Sequence, residues 1–397
     1  MITDACNLAC DYCYNPKGKG TTMSLETARK AVERTLPLIN PGERLDLQFF
    51  GGEPLLVFDR LREIHSETLD CCAERNVALT SCLATNGTLL TPERYSRLTH
   101  AGIELMLSID GLEQAQDMHR RFPDGRGSFA TVRKLWENGI IQPENTALNL
   151  VLTPQNAGEL PTGVAGLVDA GFRRFSFSPH YGTEWPSEAR IRMKAALQKL
   201  METYETWMQR DMPVYFSFIE EKVRRLLLSA PDWTNPCSFG TREIAVAPDG
   251  SLFPCERIIR EGNDSPLCMG SVGEGHDFRR ICNGDDVGIV RDVCDVPGIS
   301  DVRCSASVRT SGDAHDNRII PYISSVPRKT SDRCVPCPDR PACTNSCGCV
   351  NRTRTGDIDQ PDELVCFFER MFIKAARDAA RDLVPSCLEE SAGGCAC

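Results

Sequence analysis

Three cysteines near the start of the chain have a spacing that suits metal ligation. Cys6, Cys10 and Cys13 follow the pattern C-x3-C-x2-C, directly after a short apolar start. A structural zinc site usually has four nitrogen or sulfur ligands, and a cluster of four irons takes four thiolates. Three thiolates on one loop would leave one iron with an open position, where chemistry can take place. The alternative is three unrelated buried thiols.

Overall composition excludes several classes of function. The chain has 397 residues and a net charge of −10, so it has no basic footprint for nucleic acid. No apolar run reaches the roughly 18 residues that a membrane span needs, and no basic segment followed by an apolar one marks a signal peptide. We therefore expect a cytoplasmic protein, in a compartment where thiols stay reduced, with no nucleic acid and no membrane among its partners.

The cysteine count points to metal rather than to disulfides. The chain contains 21 cysteines, an odd number, and several are clustered with C-x2-C spacing. Such clustering fits metal ligation better than the disulfide framework of a secreted protein.

The elements that must position the first cysteines alternate between strand and helix patterns over about two hundred residues. Apolar strand patterns are followed directly by turn residues, and helical patterns separate the strands. This alternation predicts a parallel sheet with helices outside it, in which sites gather at the carboxyl ends of the strands. The turn motifs at the predicted strand ends are Gly51-Gly52-Glu53-Pro54, Thr85-Asn86-Gly87, Ser108-Ile109-Asp110-Gly111 and Pro179.

Together with the three cysteines, these motifs resemble the radical S-adenosylmethionine (SAM) enzymes. The resemblance implies a partial (β/α)6 TIM-like barrel. It implies that Cys6, Cys10 and Cys13 hold a 4Fe–4S cluster, whose open iron is chelated by the amine and carboxylate of SAM. In that family one electron cleaves SAM to a 5′-deoxyadenosyl radical, which takes a hydrogen from the substrate. The electron donor would be of the flavodoxin or ferredoxin type.

The resemblance also implies which residues contact SAM. Arg120 corresponds to the arginine of the family's His-Asp-x-x-Arg stretch, although Gln116 replaces the histidine here. The alternative for Arg120 is a solvated surface charge in a glycine-rich loop. The implied contacts are Tyr12 on the adenine side, Gly51, Gly52 and Glu53 at the ammonium group, and Ser108 and Arg120 as further polar contacts.

The second half of the chain carries another cysteine pattern. Cys237 is followed by Gly250 and then Cys255, as C-x12-G-x4-C; four cysteines follow as C-x2-C-x5-C-x3-C, and one more begins an amphipathic helix. This order resembles the SPASM extension of radical SAM enzymes, which holds two auxiliary iron–sulfur clusters. The resemblance implies one cluster on Cys334, Cys337, Cys343 and Cys366, and another on Cys237, Cys255 and Cys347.

Two questions stay open in this region. A zinc ribbon on Cys334, Cys337, Cys343 and Cys347 is the competing interpretation. The cluster with three expected cysteines either has an open iron, which would bind a substrate thiolate, or has a further ligand, for which Glu243 and Cys268 are candidates.

The domain organisation follows from these patterns. We expect a radical SAM partial barrel over 1–210, a linker or bridging helix over 211–236, and a SPASM domain over 237–385. Within the last, 282–333 is an irregular insertion without readable periodicity, and 386–397 is a flexible tail.

Glu256, which directly follows Cys255, is the candidate catalytic base. In the anaerobic sulfatase maturases an aspartate stands beside the equivalent cysteine, and such a carboxylate could take a proton from a substrate thiol or hydroxyl. The alternative is a surface glutamate paired with Arg257.

These features favour a maturase that takes hydrogen from a peptide or protein substrate. We expect it to install a thioether, a carbon–carbon crosslink or an oxidised residue in a ribosomally made peptide. The first alternative is an anaerobic sulfatase maturase that forms formylglycine from Cys or Ser. An alternative from another class is a non-catalytic zinc-binding interaction module.

Overall fold

A computed structural model describes residues 1–15, 20–228, 243–273, 330–343 and 347–383. Cys237, nearly all of the predicted insertion at 282–333, and the predicted tail at 386–397 lie outside the described residues.

A parallel sheet of six strands forms the first part of the chain, and the strands lie side by side in chain order. All five neighbouring pairs are parallel. This arrangement confirms the predicted α/β class. The strands are β1 Arg44–Phe49, β2 Ala78–Thr85, β3 Ile103–Ser108, β4 Ala147–Leu152, β5 Arg174–Pro179 and β6 Tyr215–Phe216.

The helices alternate with these strands, and local signals explain several of their starts. The Ser24 side chain accepts a hydrogen bond from the Thr27 N–H, and Thr91 caps the next-but-one helix in the same way with Pro92 at its first position. The helices are α1 Leu25–Thr35, α2 Phe58–Glu74, α3 Pro92–His100, α4 Glu113–His119, α5 Phe129–Glu137, α6 Leu160–Asp169, α7 Ser187–Gln209, α8 Ser217–Leu228, α9 Gly348–Thr355 and α10 Glu363–Leu383.

The sheet extends past the predicted barrel boundary at residue 210. The sixth strand has only two residues and lies in the segment predicted as a linker, where it pairs with β5. Phe216 is fully buried there, and its ring meets that of Phe177 edge to face at 5.2 Å. Burial of this aromatic side chain holds the short strand in place. The strand was not predicted from the sequence, because two residues are too few to show an alternating pattern.

The C-terminal helix α10 packs against α8 and joins the cysteine-rich region to the barrel. The rings of Phe218 and Phe372 stack with centroids 4.6 Å apart. Beside them Lys222 donates a 2.7 Å hydrogen bond to Glu369, and both side chains are largely buried. The large core cluster therefore runs continuously from the sheet into α10.

A short antiparallel hairpin begins the described part of the second half. Its strands are β7 Ala245–Val246 and β8 Leu252–Phe253, and a 3-10 turn over Glu256–Glu261 follows them. Phe253, Cys255 and Cys349 form a separate hydrophobic cluster with residues of α9 and α10. In the described residues, no helix is long and apolar enough to cross a membrane.

Candidate functional site

The three-cysteine loop is attached to the carboxyl end of β1 by backbone contacts that only glycine allows. The Gly52 N–H donates to the Thr3 carbonyl at 2.9 Å, and the Glu53 N–H donates to the Ala5 carbonyl at 2.8 Å. A Cβ atom on Gly52 would lie 2.0 Å from the Ala5 oxygen. The Gly-Gly pair therefore fixes the position of the segment that leads directly into Cys6.

The three sulfur atoms of this loop lie close enough for their charges to interact. The pKa of Cys10 is raised to about 12, chiefly by burial, and the charge of Arg120 opposes this rise while those of Cys13 and Cys6 add to it. Thiols that would repel one another as thiolates are suited to share a cation, which removes their protons on binding. The donor set at this loop thus fits an iron–sulfur group.

Glu53 is fully buried and connects three elements at the strand ends. Its Oε1 accepts hydrogen bonds from Thr85 Oγ1 at 2.7 Å and from the Leu55 N–H at 3.0 Å, while its Oε2 accepts from the Asn86 N–H at 2.8 Å. Burial raises the pKa of this carboxyl group. The contact of Glu53 with the SAM ammonium group stays a prediction. Its hydrogen bonds also show that Glu53 holds the turn after β1 against the turn after β2.

Asp110, at the end of β3, is the centre of a buried polar network that the sequence analysis did not assign. Its Oδ1 accepts hydrogen bonds from Arg120 Nη2 at 3.1 Å and from the Val151 N–H at 3.0 Å, and its Oδ2 accepts from the Tyr12 hydroxyl. Gln116 in turn accepts from the Asp110 N–H at 2.9 Å. The signal available in the sequence was an acidic residue directly after a buried strand.

Arg120 is buried, which excludes the solvated surface charge that was its alternative. Its Cζ lies 5.4 Å from the centre of the Tyr12 ring. Within the described residues, its Nε atom is buried and has no hydrogen-bond partner. A buried guanidinium with a spare N–H donor beside an aromatic ring is suited to a ligand that carries both a carboxylate and a planar base, as SAM does.

Further side chains line the same edge of the sheet. Ser108 is the last residue of β3 and is half-buried, and its SAM contact stays a prediction. The Tyr12 ring lies 5.2 Å from the His119 ring and 5.9 Å from the His180 ring. Burial lowers the pKa of His180, and the neighbouring His119 and Arg257 lower it further. We therefore expect His180 to be neutral at pH 7.

A second group of sulfur atoms lies beside β8 and the start of α9. The Sγ atoms of Cys347 and Cys349 are 3.4 Å apart, and the Cys349 thiol is also hydrogen-bonded to Cys255. The structure thus brings together two of the three predicted ligands, Cys255 and Cys347. It adds Cys349, which the sequence analysis missed although the run Cys347-Gly348-Cys349 is a visible signal. Cys268, a candidate ligand, packs near this group but directs its thiol to the Gly270 carbonyl at 3.8 Å.

A third group forms at the start of α10. The charges of Cys334 and Cys337 act on the thiol of Cys366, so these three predicted ligands lie close together. Arg370 is hydrogen-bonded to Cys337, which supplies a positive charge beside the group. The ligand role of Cys343 stays a prediction.

Tyr14 and Arg257 stand between the first and second sulfur groups. Burial raises the pKa of Tyr14, and the charges of Glu256, Cys13 and Cys255 act on it as well. The Arg257 Cζ lies 5.6 Å from the centre of the Tyr14 ring. The candidate base Glu256 lies beside the second sulfur group, with its Oε2 3.5 Å from the Cys255 sulfur.

Residues 1–164 match the sequence model of the Radical SAM superfamily. The chain is 30% identical over 272 residues to the serine-type anaerobic sulfatase-maturating enzyme of Klebsiella aerogenes, covering 65% of each chain. It is 31% identical over 180 residues to an uncharacterized protein of Methanocaldococcus jannaschii, covering 44% of this chain and 59% of that protein. The chain thus spans less than two thirds of the length of these two relatives.

Among solved structures, native anSMEcpe with bound AdoMet has a similar fold. The TM-score is 0.72, and the match covers 97% of this chain and 98% of that chain. At 17% identity, this likeness supports the fold alone.

Proposed function

The chain carries a radical SAM domain over residues 1–164, and on that premise we propose that it is a radical SAM maturase with SPASM-type auxiliary clusters. Its substrate would be a peptide or protein, from which it takes a hydrogen atom to install a modification. The proposed domain organisation is the one that the sequence predicted, with the barrel extended to include β6. The abundance of free thiols favours the reducing cytoplasm as the location.

The observation that carries the proposal is the juxtaposition of the first cysteine loop with Arg120. The Arg120 charge acts on Cys10, so a cluster on this loop would lie beside the guanidinium. The buried Nε of Arg120 is then available to a SAM carboxylate. A purely structural metal site has no use for a spare buried donor of this kind.

When bound, the 4Fe–4S cluster and SAM supply a 5′-deoxyadenosyl radical that accepts a hydrogen atom. The protein's own side chains would position SAM and take up a proton from the substrate. Asp110 holds both Arg120 and the Tyr12 hydroxyl, so the ring and the guanidinium keep one orientation. Glu256, whose Oε2 lies 3.5 Å from the Cys255 sulfur, would take the proton that a substrate thiol or hydroxyl loses as it is oxidised.

We propose that the two further sulfur groups hold auxiliary clusters. Oxidation of a serine or cysteine side chain removes two electrons, of which the 5′-deoxyadenosyl radical takes one with a hydrogen atom. The remaining electron needs an acceptor. The group on Cys255 and Cys347 lies beside Glu256 and is suited to that role. An external electron donor of the flavodoxin or ferredoxin type would reduce the cluster on the first cysteine loop.

Modification of a ribosomally made peptide is our first proposal for the substrate, by thioether formation, carbon–carbon crosslinking or residue oxidation. Sulfatase maturation is the second candidate. The observation that favours it is the 30% identity to the Klebsiella aerogenes enzyme, which extends over 272 residues and so beyond the radical SAM domain.

The test begins with anaerobically reconstituted protein, SAM and dithionite. We expect about twelve irons per chain, as three clusters of four, and formation of 5′-deoxyadenosine. The matched variants are Cys10→Ala, which should abolish 5′-deoxyadenosine, and Cys71→Ala, a cysteine on α2, which should not. If the protein binds zinc and forms no 5′-deoxyadenosine, the interpretation as a non-catalytic zinc-binding module would replace the proposed enzyme.

The substrate is tested with the same protein. A peptide from the modified segment of a sulfatase, in its Ser and Cys forms, is incubated with SAM and analysed by mass spectrometry. Loss of two hydrogens from the Ser form would support sulfatase maturation. An unchanged peptide, with 5′-deoxyadenosine still formed, would favour another peptide substrate.

A further inference from the structure

Cys349 is a buried thiol that no expected cluster pattern uses. Cys349 is 2% exposed and is the second residue of α9, two positions after the N-cap Cys347. The Cys347 and Cys349 sulfurs are 3.4 Å apart, which is much longer than a disulfide bond of about 2.05 Å. The third sulfur of the group, that of Cys255, is also in contact with Cys349.

We propose that Cys349 is a thiolate ligand of the auxiliary metal centre formed with Cys255 and Cys347. This inference rests on the proposed function only for the kind of centre, an iron–sulfur cluster. The ligand role itself rests on the contacts that the Cys349 sulfur makes with Cys347 and with Cys255.

Two features beside these cysteines would balance the negative charge of a thiolate centre, although hydrogen bonds with the neighbouring thiols and burial raise the pKa of Cys349 while no metal is bound. Cys347 and Cys349 lie at the N-terminus of α9, where unpaired backbone N–H groups and the helix dipole stabilise negative charge. The Arg257 guanidinium lies near enough for its charge to interact with both of these thiols. A negatively charged thiolate centre would be balanced by these two sources of positive charge.

The carboxylates near the group are weaker candidates. Carboxylate oxygens of Glu243 and Glu256 lie within 4.8 Å of one another and of the Cys255 sulfur. Glu243 is exposed, however, whereas Cys349 is buried. Iron–sulfur clusters take thiolate ligands, and a buried thiol needs no long side chain to be ordered for binding. Cys349 is therefore preferred to Glu243 and to Cys268.

Cys349 also bears on the open iron that three expected cysteines would leave at this centre. A further thiolate at that iron would close the centre to a substrate thiolate, and the centre would then act in electron transfer.

The first test removes the SAM cluster so that only auxiliary iron is counted. In a Cys6→Ala/Cys10→Ala/Cys13→Ala background, iron and sulfide are measured after anaerobic reconstitution. Adding Cys349→Ala should change one set of signals in the electron paramagnetic resonance spectrum of the reduced protein, because one iron loses its thiolate, and should lower the iron content by about one atom per chain or more. The matched control Cys268→Ala should change neither. Unchanged iron, sulfide and spectrum in Cys349→Ala would overturn the proposal.

The second test does not depend on how well the alanine variant folds. Selenocysteine at position 349 preserves size and ligation in the full chain, and X-ray absorption at the selenium edge reports its bonded neighbours. A metal atom bonded to selenium is the expected result, and selenium bonded to carbon alone would overturn the proposal. If the bonded metal is zinc instead of iron, the ligand assignment holds while the auxiliary iron–sulfur cluster of the proposed function fails.

Discussion

Arg120 Nη2 donates a 3.1 Å hydrogen bond to Asp110 Oδ1, and neither side chain is exposed by more than a tenth. This buried pair joins the end of β3 to the end of α4 and sets the orientation of the guanidinium. Since Asp110 also accepts from the Tyr12 hydroxyl, the two proposed SAM contacts share one anchor.

The first prediction concerns Arg120→Lys. Lysine keeps the charge but cannot donate to Asp110 and to a SAM carboxylate in the same fixed geometry. A lost charge-assisted hydrogen bond is worth about 1.5–3 kcal/mol, so SAM affinity should fall roughly 10- to 100-fold. Calorimetric titration of SAM into the reconstituted protein measures this. The exposed Arg126→Lys is the control, and equal SAM affinity in both variants would remove Arg120 from the SAM site.

The second prediction concerns Gly52→Ala. The added Cβ would lie 2.0 Å from the Ala5 backbone oxygen, so the segment that leads into Cys6 must shift. Overpacking of this kind costs about 1–3 kcal/mol, and the loop should lose its cluster, lowering iron by about four per chain. Gly158→Ala is the control, because nothing lies within 4 Å of its Cβ position. Normal iron in Gly52→Ala would show that the loop tolerates the shift.

The third prediction concerns the buried ion pair between α8 and α10. Lys222→Met leaves the Glu369 carboxylate largely buried without its ammonium partner, and breaking such a pair costs about 3–5 kcal/mol. The unfolding free energy in urea should fall by this amount. Lys222→Met/Glu369→Leu should recover most of it, because an apolar pair of similar volume replaces the charges.

The control for that pair is Lys199→Met, since Lys199 and Glu202 are exposed partners. Its unfolding free energy should stay within about 0.5 kcal/mol. Similar losses in Lys222→Met and Lys199→Met would mean that burial does not strengthen the pair.

The fourth prediction is a pH dependence at His65, a buried residue of α2. Burial lowers the pKa of His65 below 6.5 in the folded chain. As the pH falls through 6.5, the unfolded chain binds the proton first, so folding stability decreases until the folded pKa is reached. His65→Gln should flatten this decrease between about pH 7 and pH 5. An unchanged slope in urea unfolding across that range would contradict the assignment to His65.

Periodicity was enough to predict the parallel sheet, because strand patterns ended at glycine turns that must lie at one edge. It missed β6, whose two residues are held by burial of Phe216 and not by an alternating pattern. It also missed α4, a seven-residue helix in a stretch without a clear apolar face.

Site residues that belong to a short motif along the chain could be predicted from the sequence. Site residues that come together only in the folded chain could not. The first cysteine loop and Arg120 were found from motifs. The Asp110 network was not, since Tyr12 is 98 residues away and Val151 is 41 residues away along the chain. Cys349 was missed for the same reason, because its contact with Cys255 joins α9 to the segment after β8, which is far away along the chain.

The last prediction concerns Glu256, whose Oε2 lies 3.5 Å from the Cys255 sulfur. Glu256→Gln keeps the size of the side chain but cannot take a proton, so peptide modification should fall about 10²- to 10⁴-fold. Iron content and SAM binding should stay at wild-type levels, because glutamine needs no change in packing. The ratio of modified peptide to 5′-deoxyadenosine, by mass spectrometry, separates loss of the base from loss of radical formation. Glu243→Gln is the control, as its carboxylate lies near the same sulfur but is exposed. A wild-type ratio in Glu256→Gln would assign this glutamate a structural role beside Arg257.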